Sequence, residues 1–180
     1  MNTPDADSQV VTPIDPKARS LVITGFMGTG KTTIGKRIAA LTERTFIDTD
    51  DEIVRRVGKS IPAIFREDGE AVFREHEARV CRALSNTHGL VISTGGGMLV
   101  NADNRAVMLE MALVVCLDTA PEVIEARLAN TNDRPLAANW RELYTARRAA
   151  YADIPTHIDT GGRTPDEVAG EIVELWRSSL

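Results

Sequence analysis

Long apolar segments are missing from this sequence. No apolar run of the 180-residue chain approaches the roughly 18 residues that a membrane-spanning helix needs. The first 19 residues are polar, contain three prolines and lack the apolar stretch of a signal peptide. We therefore expect neither membrane insertion nor secretion, and we predict that residues 1–19 form a flexible N-terminal tail.

Cysteine is also scarce, with only two residues in the chain. Cys81 lies in a segment with helical periodicity, and Cys116 lies inside the apolar run at residues 113–117. Both positions favour small buried hydrophobic side chains over a disulfide. The sequence therefore suits a reducing compartment, and we expect a cytoplasmic protein.

Positive charge does not dominate the chain. The 21 Lys and Arg residues are outnumbered by 26 Asp and Glu residues, which gives a net charge of -5. No run of Lys or Arg is long enough to indicate a nucleic-acid or membrane-binding surface, so we expect neither partner. The length and the 43% hydrophobic content fit one domain, which we place at residues 20–180.

Short apolar runs alternate with amphipathic segments along the chain. Four clear runs, at residues 21–24, 46–47, 90–93 and 113–117, are followed by a weaker fifth around Ile158. Uninterrupted apolar strands indicate burial on both faces, as in a parallel sheet covered by helices. The sequence therefore predicts an α/β fold.

Helical periodicity is clearest after the first apolar run and at the end of the chain. The apolar positions are Ile34, Ile38 and Leu41 in the first segment, and Val168, Ile172, Leu175 and Trp176 in the last. Thr164 followed by Pro165 predicts the N-cap and first residue of the last helix. Residues 130–139 show no period, which predicts a surface loop that can act as a lid.

Residues 25–32, Gly-Phe-Met-Gly-Thr-Gly-Lys-Thr, match the phosphate-binding pattern G-x-x-x-x-G-K-[ST] in full. They follow an apolar run and precede an amphipathic helix, a context that disfavours a plain glycine-rich turn. In such a loop Lys31 reaches the β- and γ-phosphates of ATP, and the Thr32 hydroxyl can ligate Mg²⁺. The predicted ATP-binding residues of the loop are Gly28, Thr29, Gly30, Lys31, Thr32 and Thr33.

Three aspartates follow the second apolar run, in Asp48-Thr49-Asp50-Asp51. Alternation along an extended segment would place Asp48 and Asp50 on the same side, near the end of the sheet where ligands bind. One carboxylate can hold the metal through water, and the other can accept a proton from a substrate hydroxyl. The alternative is that Asp50 or Asp51 caps a helix over residues 52–57.

A carboxylate interrupts the apolar stripe of Phe73, Val80 and Leu84. Glu77 falls within this stripe, three residues after Arg74, which predicts a partly buried ion pair. An arginine fixed in this way suits bidentate binding of an anionic group. A solvated surface pair is the alternative.

Three successive glycines, residues 95–97, follow the third apolar run and give backbone N–H groups close access to a ligand. A flexible turn is the alternative. Mobile arginines can also neutralise the charge of a transferring phosphoryl group, although each could equally be a solvated surface charge. The candidates are Arg127, Arg134, Arg147 and Arg148.

Taken together, the segments GFMGTGKTTIG, FIDTD, GKSIPAIF, GEAVFREHE, TGGG and RPLA resemble the shikimate kinase family, in that family's order over residues 21–176. The resemblance implies a three-layer P-loop kinase fold, with a central five-stranded parallel sheet and a lid loop. It also implies a monomer that transfers the γ-phosphate of ATP, with Mg²⁺, to the 3-hydroxyl of shikimate. This reaction belongs to chorismate and aromatic amino acid biosynthesis.

The resemblance assigns roles to individual residues. Asp48 would bind Mg²⁺ with Thr32, and Asp50 would contact the shikimate hydroxyls as the base. Arg147 is preferred to Arg148 as the second clamp on the shikimate carboxylate, because the family places this arginine four residues before a tyrosine. On the substrate side, Arg74 would be the first carboxylate clamp, Gly96 and Gly97 would add backbone contacts, and Phe65 and Phe73 would form an apolar wall. On the nucleotide side, Lys31 and the lid residue Arg134 would make catalytic contacts to the phosphates. Arg127 and Arg163 would contact the adenine.

Two features depart from the family's pattern. The stretch from Arg134 to Arg147 is several residues shorter than the usual lid and following helix, and Met98-Leu99 replaces a smaller pair. A short lid predicts weaker exclusion of water from the γ-phosphate. The residues leave two alternatives open: a kinase of the same architecture acting on gluconate or a nucleoside monophosphate, and a non-catalytic nucleotide-binding module.

Overall fold

The computed structural model describes residues 19–129 and 139–179. These residues contain one five-stranded parallel sheet in the order β2-β3-β1-β4-β5. The strands are β1 (Ser20–Gly25), β2 (Thr45–Asp48), β3 (Leu90–Ser93), β4 (Ala112–Asp118) and β5 (Thr156–Asp159). The α/β class and all five predicted strands are confirmed.

Helices connect the strands and cover both faces of the sheet. They are α1 (Lys31–Thr42), α2 (Thr49–Val57), α3 (Ile61–Glu67), α4 (Glu70–Ser85), α5 (Ala102–Met111), α6 (Pro121–Leu128), α7 (Trp140–Ala152) and α8 (Pro165–Ser178), with a short 3₁₀ helix at Met98–Val100. Within the described ranges, no helix has both the length and the apolar character needed to cross a membrane.

Strand β1 lies at the centre of the sheet, and every one of its residues is buried. Val22 packs into one apolar cluster, whereas Leu21 and Ile23 pack into the cluster on the opposite face. Burial on both faces explains why the central strands read as uninterrupted apolar runs. The edge strand β5 buries only Ile158, which explains its weaker signal in the sequence.

Helices α1 and α8 cover one face of the sheet through Ile34, Ile38, Val168, Ile172 and Trp176. Two positions predicted to belong to these buried stripes do not: Leu41 is 53% exposed and Leu175 is 39% exposed. Each lies in the last turn of its helix, outside the apolar cluster that the preceding turns join. The helical period of apolar residues does not by itself reveal which of them lie beyond the part of the helix that packs against the sheet.

The start of α8 confirms the predicted cap. The Thr164 hydroxyl accepts a hydrogen bond from the Glu167 N–H at 3.3 Å, and the Glu167 carboxylate accepts one from the Thr164 N–H at 2.8 Å. Pro165 occupies the first helical position. This reciprocal pair satisfies two N–H groups that the helix itself leaves unbonded.

The N-terminal side of the domain is anchored at Arg19. Its carbonyl accepts hydrogen bonds from Arg44 and Trp176, and its guanidinium donates to the carbonyl of Ala112. Arg19 therefore packs with the folded domain, although the sequence assigned it to the tail. The other tail residues, 1–18, lie outside the described residues.

Both cysteines are free and buried, as predicted. Burial raises the pKa of the Cys81 thiol to about 11 and that of the Cys116 thiol to about 12. Neither thiol is therefore ionised to a useful extent near neutral pH.

Candidate active site

The phosphate-binding loop begins where β1 ends. Gly25 has a φ of 132°, and a Cβ there would overlap the carbonyl of Leu117 on the neighbouring strand. Only glycine allows this close approach. At the other end of the loop, Gly30 is left-handed and α1 starts at Lys31, and no side chain in the described ranges caps the helix. The N–H groups of the first helical turn are therefore available to phosphate oxygens.

Side chains hold the shape of the loop. The Lys31 ammonium and the Thr29 hydroxyl each donate to the carbonyl of Phe26 at 2.8 Å. Arg127 of α6 donates to the carbonyl of Gly28 at 2.6 Å. The loop is thus already folded around the space that a phosphate group would enter.

The two predicted carboxylates converge, but for a different reason from the one the sequence suggested. Strand β2 ends at Asp48 and α2 begins at Thr49, so Asp50 lies in a helical turn and not on an extended segment. The prediction from strand alternation was therefore wrong, as was the predicted helix start at residue 52. Asp48 itself is the N-cap, because its Oδ1 accepts a hydrogen bond from the Asp50 N–H at 3.0 Å. Neither Asp50 nor Asp51 caps the helix.

A cavity of about 530 Å³ opens beside the phosphate-binding loop. It brings together residues from six separate segments of the sequence. Its lining includes Gly28, Gly30, Lys31, Thr32, Thr33, Asp48, Asp50, Phe65, Phe73, Arg74, Glu77, Gly96, Gly97 and Arg147. Donor-side and acceptor-side residues therefore share one space.

The glycine triplet allows charged side chains to lie against the backbone. A Cβ at Gly95 would overlap the Asp50 carboxylate, and a Cβ at Gly97 would overlap the Arg74 guanidinium. The Gly95 N–H donates to the Thr49 hydroxyl at 2.9 Å, which ties the triplet to the start of α2. Sequence reasoning named Gly95 within the triplet but missed its contact with Thr49, because only the paired strands β2 and β3 bring the two residues together.

Arg74 and Glu77 form a partly buried ion pair on α4. Arg74 Nη1 lies 2.7 Å from Glu77 Oε2, and Arg74 Nη2 lies 2.7 Å from Glu70 Oε1. Glu77 is only 1% exposed, so the alternative of a solvated pair is wrong. Burial raises the pKa of the Glu77 carboxyl, and the Arg74 charge opposes this rise. Burial lowers the pKa of Arg74, but the charges and hydrogen bonds of Glu77 and Glu70 have a larger opposite effect. The pKa of Arg74 therefore lies above its ordinary value.

Helix α7 supplies a second arginine. Arg147 is 5% exposed and its guanidinium lies 5.9 Å from the centre of the Phe26 ring, whereas Arg148 is exposed. The Tyr151 hydroxyl donates to the carbonyl of Gly96. Burial raises the pKa of Tyr151 to about 12, although the Arg147 charge opposes this. Tyr151 thus links α7 to the glycine triplet, a contact the sequence did not reveal.

A second cavity, of about 270 Å³, lies on the other side of the loop. Arg127 and Arg163 both line it, together with Thr160, whose hydroxyl donates to the carbonyl of Thr29 at 3.3 Å. The adenine contacts of Arg127 and Arg163 stay a prediction. Arg134, the predicted lid arginine, lies outside the described residues.

The unusual pair Met98-Leu99 does not alter the cavity. Both side chains are 0% exposed and belong to the apolar core. Neither lines the 530 Å³ cavity. This departure from the family's pattern therefore concerns packing in the core.

A parallel sheet in this order, with a phosphate-binding loop at the end of its central strand and an acceptor-sized cavity beside it, defines a small-molecule kinase of the P-loop class. The family model for shikimate kinase matches residues 27–177. The chain belongs to the shikimate kinase family.

Individual relatives agree. The shikimate kinase of Desulforudis audaxviator is 41% identical over 164 residues, which cover 88% of this chain and 87% of that protein. The shikimate kinase of Geobacter sulfurreducens is 44% identical over 165 residues, covering 88% and 91%. The structure of shikimate kinase from Acinetobacter baumannii in complex with shikimate has a TM-score of 0.84 at 34% identity, covering 90% of this chain and 94% of that one.

The resemblance inferred from the motifs is therefore confirmed. The activity of the family, ATP-dependent transfer of a phosphoryl group to a hydroxyl of shikimate, is the activity of this chain. It is a transferase of aromatic amino acid biosynthesis. The alternatives of another acceptor and of a non-catalytic module are set aside.

Proposed function

We propose that the chain transfers the γ-phosphate of ATP to the 3-hydroxyl of shikimate, with Asp50 as the base and two arginines as the carboxylate clamp. The observation that carries this proposal is the shared cavity, whose lining includes Lys31 and Thr32 of the loop together with Asp50, Arg74 and Arg147, which lie against the glycine triplet. Positioning and charge neutralisation are the main means by which enzymes accelerate phosphoryl transfer.

The acceptor end suits a small carboxylate that carries hydroxyl groups. The guanidinium groups of Arg74 and Arg147 both reach the glycine triplet from opposite helices, α4 and α7. Their charge and forked donors complement a carboxylate, and the backbone of Gly96 and Gly97 offers further contacts. The Phe65 and Phe73 rings also line the cavity, 4.8 Å apart, and would cover the carbon ring.

Asp50 is the carboxylate best placed to accept the hydroxyl proton. It lines the cavity, and its carboxylate lies against Gly95 of the glycine triplet that the two arginines also approach. Glu77 also lines the cavity, but its Oε2 is already bound to Arg74. Glu77 would therefore position Arg74, while Asp50 would take the proton.

Thr32 and Asp48 would hold Mg²⁺. The Thr32 hydroxyl donates to Asp48 Oδ2 at 2.9 Å, so two oxygen donors already lie together beside the loop. Oxygen donors suit this hard cation, which usually keeps several waters and binds the phosphates as well. When bound, the ion would neutralise charge on the β- and γ-phosphates.

Asp48→Asn tests the metal role without removing the helix cap, because asparagine caps as well as aspartate. We expect the Mg²⁺ concentration for half-maximal rate to rise at least about 10-fold, since a charged oxygen ligand is lost. Thermal unfolding should change little. An unchanged Mg²⁺ requirement would remove Asp48 from the metal site.

The remaining ATP contacts would come from the loop residues Gly28 to Thr33, with Arg127 and Arg163 beside the adenine and Arg134 of the lid on the phosphates. We further propose that the chain acts as a monomer in the cytoplasm, through one domain at residues 20–180. Two free buried thiols suit that reducing compartment.

Product analysis tests the position of the transferred phosphate. The reaction is run with Mg²⁺, ATP and shikimate, and phosphorus coupling to ring protons is read by NMR. Coupling to the proton on carbon 3 is expected. Coupling to the proton on carbon 4 or 5 would refute the proposed regiochemistry while leaving the kinase activity intact.

Arg74→Ala should raise the KM for shikimate about 10-fold, because one charge-assisted contact to the carboxylate is lost. The effect is expected to be moderate, since the Arg74 side chain is 32% exposed and water can partly replace it. Arg79→Ala is the matched control, because Arg79 lies on the same helix and forms an exposed pair with Glu75. Equal KM values in the two variants would refute the clamp role of Arg74.

The Glu77→Gln variant should reveal how the buried Glu77 carboxylate changes the stability of the folded protein with pH. The pKa of Glu77 is raised above 4.5 in the folded state, so folding favours its protonated form. The stability this provides is fully present below pH 4.5 and is lost as pH rises through the raised pKa. Glutamine resembles the protonated form. The melting temperature of the wild type should therefore fall relative to that of the variant as pH rises from 4.5; a wild-type value that stays level with the variant's, or rises relative to it, would contradict this.

A further inference from the structure

Cys116, Asp118 and His157 form a cluster at the ends of β4 and β5 that the proposed mechanism does not use. One potential ligand atom from each residue lies within 4.8 Å of the other two. Among residues 19–129 and 139–179 no other group of three or more His, Cys, Asp or Glu side chains has this spacing.

The sheet itself produces this convergence. Cys116 and Asp118 are two residues apart on β4, so their side chains point to the same face. His157 on β5 is the register partner of Cys116. Cys116 Sγ lies 4.0 Å from Asp118 Oδ1, and His157 Nδ1 lies 2.6 Å from Asp118 Oδ2. Three different donor types therefore meet on one face of two rigid strands.

The hydrogen bonds of His157 point to a cation. Its Nε2 lies 3.1 Å from the carbonyl of Tyr151, which can only accept a hydrogen bond, so this nitrogen carries a hydrogen. In a neutral ring, Nδ1 would then present its lone pair to the Asp118 carboxylate, which also only accepts. At 2.6 Å the two atoms can share a proton, and a metal ion that replaced this proton would move them further apart. A histidine whose second nitrogen donates to a backbone carbonyl has the orientation that metal sites commonly use.

We propose that Cys116, Asp118 and His157 bind Zn²⁺, with the fourth position open to water. One sulfur, one nitrogen and one oxygen ligand suit this borderline ion, whereas Mg²⁺ prefers oxygen ligands alone. The site is therefore distinct from the proposed Mg²⁺ site at Thr32 and Asp48.

Access and charge balance fit this site. The side chains of Asp118 and His157 are 52% and 34% exposed, so an ion can enter from solvent, and the buried Cys116 forms the inner wall. Binding would convert the Cys116 thiol to a thiolate and release its proton to solvent.

Cobalt provides a direct test, because a bond between Co²⁺ and a thiolate absorbs in the near ultraviolet and ligation by oxygen alone does not. The full-length protein is titrated with Co²⁺ in the absence of ATP and Mg²⁺. We expect a near-ultraviolet band that saturates at one ion per chain and disappears when Zn²⁺ is added. Cys116→Ala should abolish the band, and His157→Gln should weaken Co²⁺ binding at least about 10-fold.

Cys81→Ala is the matched control, because Cys81 is the other buried thiol and lies on α4, away from the cluster. It should keep the band. No band in the wild type, or a band that survives Cys116→Ala, would refute the site and leave the cluster as an ion pair between histidine and aspartate. If Cys116→Ala does not fold, His157→Gln carries the test: an unchanged affinity in that variant would equally refute the proposal.

Discussion

Asp50→Asn is expected to lower kcat by about 1,000-fold, within the range that general bases contribute. The amide has the same shape as the carboxylate but cannot accept the proton of the shikimate hydroxyl. Asp50 faces the acceptor end of the cavity, so the Kd for ATP should remain within about twofold of the wild type. Steady-state rates and equilibrium titration with ATP measure the two quantities separately.

Asp51→Asn is the matched control for this change. Asp51 is the next residue on α2, carries the same charge and is exposed. Its replacement should leave kcat unchanged. A near-normal kcat in Asp50→Asn would remove Asp50 from proton transfer, whereas a large loss of ATP affinity would assign it to the donor site.

Arg147→Ala is expected to raise the KM for shikimate by at least about 100-fold, because a bidentate charge-assisted contact is lost. The effect should exceed that of Arg74→Ala, because Arg147 is only 5% exposed and little water can replace its guanidinium. Arg147→Lys keeps the charge but loses the forked geometry, and should raise KM about 10-fold. The lysine variant separates loss of binding from loss of folding.

Arg148→Ala controls for this change. Arg148 follows Arg147 on α7 and is exposed, so its removal should leave KM and thermal stability unaltered. Similar KM increases in the two alanine variants would show that α7 acts through its overall charge. An unchanged KM in Arg147→Ala would remove this arginine from the carboxylate clamp.

Local patterns in the sequence were enough to predict the donor side of the site. The residues of the phosphate-binding loop are contiguous, and their conformations follow from glycines at fixed positions. Glu77 could also be predicted as buried, because it falls within the apolar stripe of its own helix. Arg147 was chosen over Arg148 only through the family's spacing to Tyr151, and the structure buries the one that was chosen.

Contacts between distant segments could not be predicted in the same way. Asp48 and Asp50 were expected to converge as strand residues, but an N-cap and a helical turn bring them together. The hydrogen bond from the Tyr151 hydroxyl to the Gly96 carbonyl requires α7 to pack against the glycine triplet. No local sequence pattern encodes this packing. The position of His157 opposite Cys116 likewise depends on β5 pairing with β4.

The most direct test of the central claim is ADP release from Mg²⁺ and ATP with shikimate, quinate, gluconate, AMP or no acceptor, each measured in parallel. The proposed clamp and base predict turnover with shikimate far above the rate with every other acceptor. Turnover with a different acceptor alone would contradict the roles of Arg74, Arg147 and Asp50. Release of ADP at one rate in every case would contradict kinase activity towards any of these acceptors.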